Sequence, residues 1–298
     1  MISVGRILDG AFGVFREHFT AVAIWAGIYL ACNIAAIVAM QPMLGAVADP
    51  ALSEDPAAAV AAMGPVWLLG FLTAIVGVVL YTASMRSVLR PDAGGIAFLR
   101  LGMDELRTLG LLLLFAIASL VLFFGASLIV GLFIGGVAAG SESIALTVIL
   151  SILIGLVVFG ALIFLVIRLS LAFPLTLHRG AFAIGEAWRL SRGHFWKLFG
   201  AALVVTMIGL VLSIAINLVA TGGYFADILA AAGNPEASAL AAERQAAAMG
   251  SFSIWMILQA IGGAVVAAIW LALSGGSVAS AARLLIDDEF DDAEDVFG

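Results

Sequence analysis

The chain has 298 residues, 64% of them hydrophobic and 11% charged, with a mean hydropathy of +1.20. Soluble domains carry about 45–50% apolar and about 25% charged residues, so this composition excludes an ordinary soluble enzyme, a nucleic-acid binder and a disordered chain, and leaves a polytopic membrane protein. The net charge of −7 sits at one end: Asp287, Asp288, Glu289, Asp291, Asp292, Glu294 and Asp295 fall within the last twelve residues, and residues 1–286 are neutral overall.

The first segment reads as an amphipathic helix. Val4, Ile7, Leu8, Ala11, Phe12, Val14, Phe15 and Phe19 share one side of a helical wheel, with Arg6, Asp9, Gly13, Arg16 and Glu17 opposite. Two placements are open, flat in the headgroup region or packed on the protein's own loops; the interfacial one is the expectation. The charges of this segment also argue against a cleavable signal peptide.

A hydrocarbon core of about 30 Å needs about 20 apolar residues as helix. Six runs meet this, at 20–40, 65–85, 108–140, 143–167, 199–221 and 252–278. Lipid cannot satisfy open strand edges, and no period-2 alternation suggests a barrel. The expected fold class is therefore an all-α integral membrane protein, with six transmembrane helices as three hairpins and cytoplasmic interfacial helices leading into them. A tight turn at Gly140-Ser141-Glu142-Ser143 separates the third and fourth runs.

Loop charge sets the expected direction. Arg6, Arg16, Arg86, Arg90, Arg100, Arg107, Arg168, Arg179, Arg189, Arg192, Lys197 and Arg283 fall on one side, and Arg244 alone on the other. Both termini are thus expected in the cytoplasm, with longer loops at 41–64 and 222–251 outside. The expected domains are a six-helix membrane domain, 1–286, and a disordered acidic tail, 287–298, too short and too charged to fold alone.

The membrane domain reads as three similar units, 1–90, 91–176 and 177–286, each a cytoplasmic segment, a span, an outer loop and a returning span. Ala11-Phe12 with Arg16-Glu17-His18-Phe19 aligns with Ala187-Trp188 and Arg192-Gly193-His194-Phe195, and each returning span ends in an arginine: Arg86, Arg168 or Arg283. Composition alone also makes apolar helices resemble one another, so repetition and coincidence both stay open.

Arg16, His18, Arg168, Arg192 and His194 are candidates for holding a lipid phosphate or for anchoring helix ends at the interface. Arg168 follows a long uncharged run and is expected to snorkel, a buried functional arginine being the other reading. Asn33, Asn217 and Gln259 are the intramembrane polar candidates, expected to bond across helices; Thr73, Ser127, Ser151, Thr206 and Ser213 are milder ones. Gly131 with Gly135, Gly262-Gly263 with Ala267, and Gly275 with Ala279 mark sites of close helix approach. No acidic residue lies deep in a span, which lowers the expectation of a proton- or cation-coupled transporter. The single cysteine, Cys32, excludes an intramolecular disulfide, and three histidines without an i+4 partner do not suggest a metal site.

Val4-Gly5-Arg6-Ile7-Leu8-Asp9-Gly10-Ala11-Phe12, Arg168-Leu169-Ser170-Leu171-Ala172-Phe173-Pro174 and Ala187–Gly200 resemble stretches of the bacterial glycerophosphoryl diester phosphodiesterase membrane domain group. The resemblance implies a bacterial inner-membrane protein, alone or beside a phosphodiesterase domain. That enzyme class opens with His-Arg-Gly followed by Glu-Asn-Thr. Here His178-Arg179-Gly180 is followed by Glu186-Ala187-Trp188, and no soluble barrel of about 250 residues is present. The expected function is a non-catalytic scaffold or accessory subunit, without cofactor, that touches phospholipid headgroups and another membrane protein. A small transporter or channel for a lipid or other apolar solute is the alternative, and a membrane-embedded enzyme the third reading. A scaffold predicts tight small-residue interfaces without a polar cavity; a transporter predicts a cavity lined by several of Asn33, Thr73, Ser151, Asn217 and Gln259.

Overall fold

The computed structural model describes residues 2–48, 56–93, 95–140, 144–231, 234, 236–241, 244 and 254–297. Among them the chain is helical and without strands. The helices are α1 (Val4–Glu17), α2 (Phe19–Ala48), α3 (Pro56–Leu89), α4 (Met103–Gly140), α5 (Ile144–Leu169), α6 (Ala172–Arg179), α7 (Ile184–Leu190), α8 (Phe195–Ala230) and α9 (Ile254–Phe297). Six of these, α2, α3, α4, α5, α8 and α9, are long and apolar enough to cross a membrane. The turn expected at 141–143 lies outside the described residues.

The chain divides into two compact units, one of residues 1–8, 101–202 and 278–298, the other of 9–100 and 203–277. Their limits cut across the three repeat segments read from the sequence.

In the first unit, Ile2, Ile7, Leu111, Leu171, Leu175, Ala187, Leu198, Ala282 and Leu285 form a buried core. The short helices α6 and α7 supply its middle. Helix α6 stops at Gly180, whose left-handed φ of 69° lets its N–H return to Thr176 O at 2.9 Å. The Thr176 hydroxyl in turn accepts the Ala183 N–H at 3.2 Å and fixes the entry to α7. Helix α4 begins where Gly102 N–H donates to Glu105 Oε2 at 3.0 Å, one half of a capping box. Beyond this base the α4–α5 hairpin is bare: Phe123, Phe124, Ile129, Leu132, Leu156 and Val157 are all exposed, as lipid-facing side chains should be.

In the second unit, Val14, Ala21, Val22, Trp25, Leu80, Ala83, Phe98, Ala268, Leu271 and Ala272 form the core. Small residues let its helices close. A Cβ on Gly275 would overlap the Ser84 side chain of α3, and one on Gly276 would lie 3.2 Å from Ala11 Cα. Gly262 is also close, with the tip of the Ile216 side chain 2.8 Å from the position of its absent Cβ. Gly131 and Gly135 meet nothing within 4 Å, so that pair brings no described helix close.

Two elements differ from the sequence expectation. Much of the apolar face of α1 is covered: Ile7, Ala11 and Val14 are buried by protein, Ile7 in the first core and Val14 in the second, while Phe12 of the same face stays exposed. Burial by helix packing removes this area from water as effectively as lipid would, and the hydrophobic pattern is the same for both. The acidic segment continues α9 as far as Phe297 instead of standing apart. Propagating an existing helix avoids the costly nucleation step that a separate segment would face.

Candidate functional site

Two arrangements stand out, one in each unit. In the first, Arg168 closes α5 and is 9% exposed. Its Nε donates to Ser191 Oγ at 3.1 Å and its Nη2 to Trp188 O at 3.2 Å. The guanidinium carbon lies 4.1 Å from the centre of the Trp188 ring and 5.3 Å from that of Phe164. A desolvated cation over an aromatic face gains about 2 kcal/mol or more. Arg168 thus turns inward onto α7 rather than snorkelling.

The other two residues of this unit that were read as headgroup candidates do not join it. Arg192 is exposed, and His194 places Nδ1 3.4 Å from Leu190 O at the helix end. Nearby, Arg179 pairs with Glu186, Nη2 to Oε1 at 2.7 Å. His178-Arg179-Gly180 is therefore the C-terminus of a helix whose arginine clamps the next one. Among the described residues no three His, Cys, Asp or Glu side chains gather as metal ligands.

The second unit holds Arg16 and His18. Arg16 is exposed. His18 stacks edge-on to Phe98 at 4.8 Å, and its Nε2 is buried with no hydrogen-bond partner among the described residues. Phe98 belongs to a strained turn in which Ala97 (φ 54°) and Phe98 (φ 58°) are both left-handed. Side chains hold that turn: Trp25 Nε1 donates to Ala97 O at 3.1 Å and Arg86 Nη1 to Phe98 O at 2.6 Å. Arg86, only 2% exposed, reads from the sequence as the end of a returning span and not as a candidate site residue. It occupies the same place at the end of a returning span as Arg168, and that shared position was the available signal.

Two grooves flank α9 within this unit. The first, of about 370 Å³, runs between α2 and α9. On α2 its wall is Asn33, Ala36, Ile37, Met40 and Gln41, spaced i, i+3, i+4, i+7, i+8; on α9 it is Met256, Gln259, Ala260 and Gly263, spaced i, i+3, i+4, i+7. Both spacings trace a single helix face. Asn33 Nδ2 donates across the groove floor to Ala260 O at 3.1 Å, the interhelical bond expected of it. Gly263 leaves the floor low: a Cβ there would stand 3.6 Å from Asn33 Nδ2. Gln259 is exposed on the opposite wall. Gln41 Nε2 is buried and has no hydrogen-bond partner among the described residues. Its signal was the i+8 spacing from Asn33; at the end of a span the residue reads as an ordinary interfacial one.

The second groove, of about 420 Å³, lies between α8 and α9 and includes Thr206, Ser213, Asn217, Gly263 and Trp270. Asn217 bonds along its own helix, Nδ2 to Ser213 O at 2.8 Å, rather than across to a neighbour by that bond. Trp270 lies so close over Gly209 that no Cβ could stand between them. Gly263 lines both grooves, so at this level the backbone of α9 is the partition.

No protein-family model matches this chain, and neither a curated protein nor a solved structure is similar to it.

Proposed function

We propose that the chain is a multi-pass protein of a bacterial inner membrane, both termini cytoplasmic, that takes an apolar or amphipathic molecule from the surrounding lipid into the α2–α9 groove, as the binding step of a small transporter or carrier. The groove itself carries this reading. Its walls are apolar side chains interrupted by Asn33, Gln41 and Gln259, the composition of a site that binds by shape and orients by a few polar groups. Asn33, Gln259 and Asn217, three of the five residues named for a solute cavity, border the two grooves. No catalytic role is assigned to either arrangement.

The scaffold reading keeps one observation in its favour. The exposed α4–α5 hairpin offers a long apolar surface to a second membrane protein as readily as to lipid.

The experiment is to purify the full chain in mild detergent and measure bound lipid by native mass spectrometry, beside the variant Ala36→Phe. Ala36 lines the groove and is exposed, so a phenyl ring there fills space without breaking a core. Wild-type protein is expected to retain lipid that Ala36→Phe loses. Equal retention by both would overturn the reading.

A further inference from the structure

An amide donor buried without a partner in apolar surroundings costs about 1–3 kcal/mol. Gln41 Nε2 is such a donor, and Gln41 forms part of the groove wall. Gln259, on the facing wall, makes no protein hydrogen bond among the described residues and presents a second amide. At 1.5 Å per residue Gln41 stands about 33 Å along α2 from Phe19, and Asn33 about 21 Å. A hydrocarbon core is about 30 Å thick. With Phe19 set at one boundary of that core, as the apolar span Phe19–Gln41 suggests, Gln41 falls at the other, where the head of a lipid meets its chains, and Asn33 falls deeper. Apolar side chains (Ile37, Met40 and Met256) accompany the groove below that level. No Lys, Arg, Asp or Glu is among its lining residues.

We infer that the groove binds an uncharged lipid, with oxygen acceptors of its head on the amides of Gln41 and Gln259 and its apolar tail along Ile37 and Met40. This rests on the proposed function and names the class of molecule the groove takes. A single-headed neutral lipid fits the observations better than a phospholipid because nothing in the lining would repay the desolvation of a phosphate. Diacylglycerols, with ester carbonyls, and isoprenoid quinones, with ring carbonyls, share this chemistry.

The test uses the full chain in detergent with radiolabelled dioleoylglycerol as probe, and an isoprenoid benzoquinone and phosphatidylglycerol as competitors. Wild-type protein is expected to bind the probe and to keep it against a tenfold excess of phosphatidylglycerol. Displacement by the quinone would identify quinones as the tighter source of the same chemistry, and failure to displace would identify the diacylglycerol; either supports the inference. Gln41→Leu and Gln41→Met are expected to weaken probe binding about tenfold, the loss of one buried hydrogen bond. Met keeps the length of the side chain but carries no donor, so a merely space-filling role would leave that variant unchanged. Gln259→Leu, at an exposed position, is expected to weaken the probe as well, and decides the matter should the Gln41 variants not fold. Displacement by phosphatidylglycerol mole for mole, or wild-type affinity in the variants that fold, would overturn the inference and leave the groove reading standing. Absence of any lipid sensitive to Ala36→Phe would remove both.

Discussion

Arg168 holds a full charge with a guanidinium's geometry: two hydrogen bonds, to Ser191 Oγ and Trp188 O, and a stacked indole. Lysine keeps the charge but has neither the planar fork nor the flat face. Arg168→Lys is therefore expected to cost about 2–3 kcal/mol, the stacking and one hydrogen bond together. Thermal-shift gel filtration of the detergent-solubilised protein reads this as a lower midpoint, and a midpoint equal to wild type would show that charge alone matters. This role could not be read along the chain. An arginine that snorkels and one that folds back have the same neighbours in sequence, and the partners that decide between them lie 20 and 23 residues away. Arg86 reaches 12 residues ahead to Phe98 in the same manner.

At the scale of helices, the number and length of the spans were legible because a run of about 20 apolar residues has few other uses. Which faces pack was less legible. Gly131 with Gly135 and Gly275 with Ala279 have the same small-residue spacing, yet the first pair meets open space while Gly275 and its neighbour Gly276 sit against Ser84 and Ala11. A glycine records only that close approach is allowed; the approaching surface comes from elsewhere in the chain. Gly276→Leu must displace backbone at Ala11, since its Cβ would lie 3.2 Å from that Cα. It is expected to cost about 1–3 kcal/mol or to prevent folding. Gly131→Leu should change stability by no more than about 0.5 kcal/mol. The two variants compared by monodisperse yield after graded heating check this, and equal losses would mean that Gly131 has a partner too. The same logic explains α1: its stripe of Val4, Ile7, Leu8, Ala11, Phe12, Val14, Phe15 and Phe19 was plain, but the part buried by protein (Ile7, Ala11 and Val14) and the part left exposed are written alike.

For the whole molecule, the expected topology puts twelve basic residues on one side and one on the other, the bias by which Lys and Arg orient membrane helices. The six spanning helices divide the connecting segments into two alternating sets, and that alternation makes the charge bias a statement about every segment at once. The 86–107 segment, with four arginines, belongs to one set and Arg244 to the other. Asp92 and Arg244 are both exposed, so a cysteine at either place is open to reagent. In a Cys32→Ala background, Asp92→Cys is expected to resist a membrane-impermeant maleimide in intact cells and to react after lysis. Arg244→Cys is expected to react in intact cells. Reaction of both from one side would require an even number of crossings between them instead of the three expected, and the reverse pattern would place the arginine-rich segments outside. The depth at which Gln41 lies would survive that reversal, because it is counted along α2 from Phe19. The leaflet from which the groove draws its lipid would not, and the donor membrane surface for the proposed carrier would change with it.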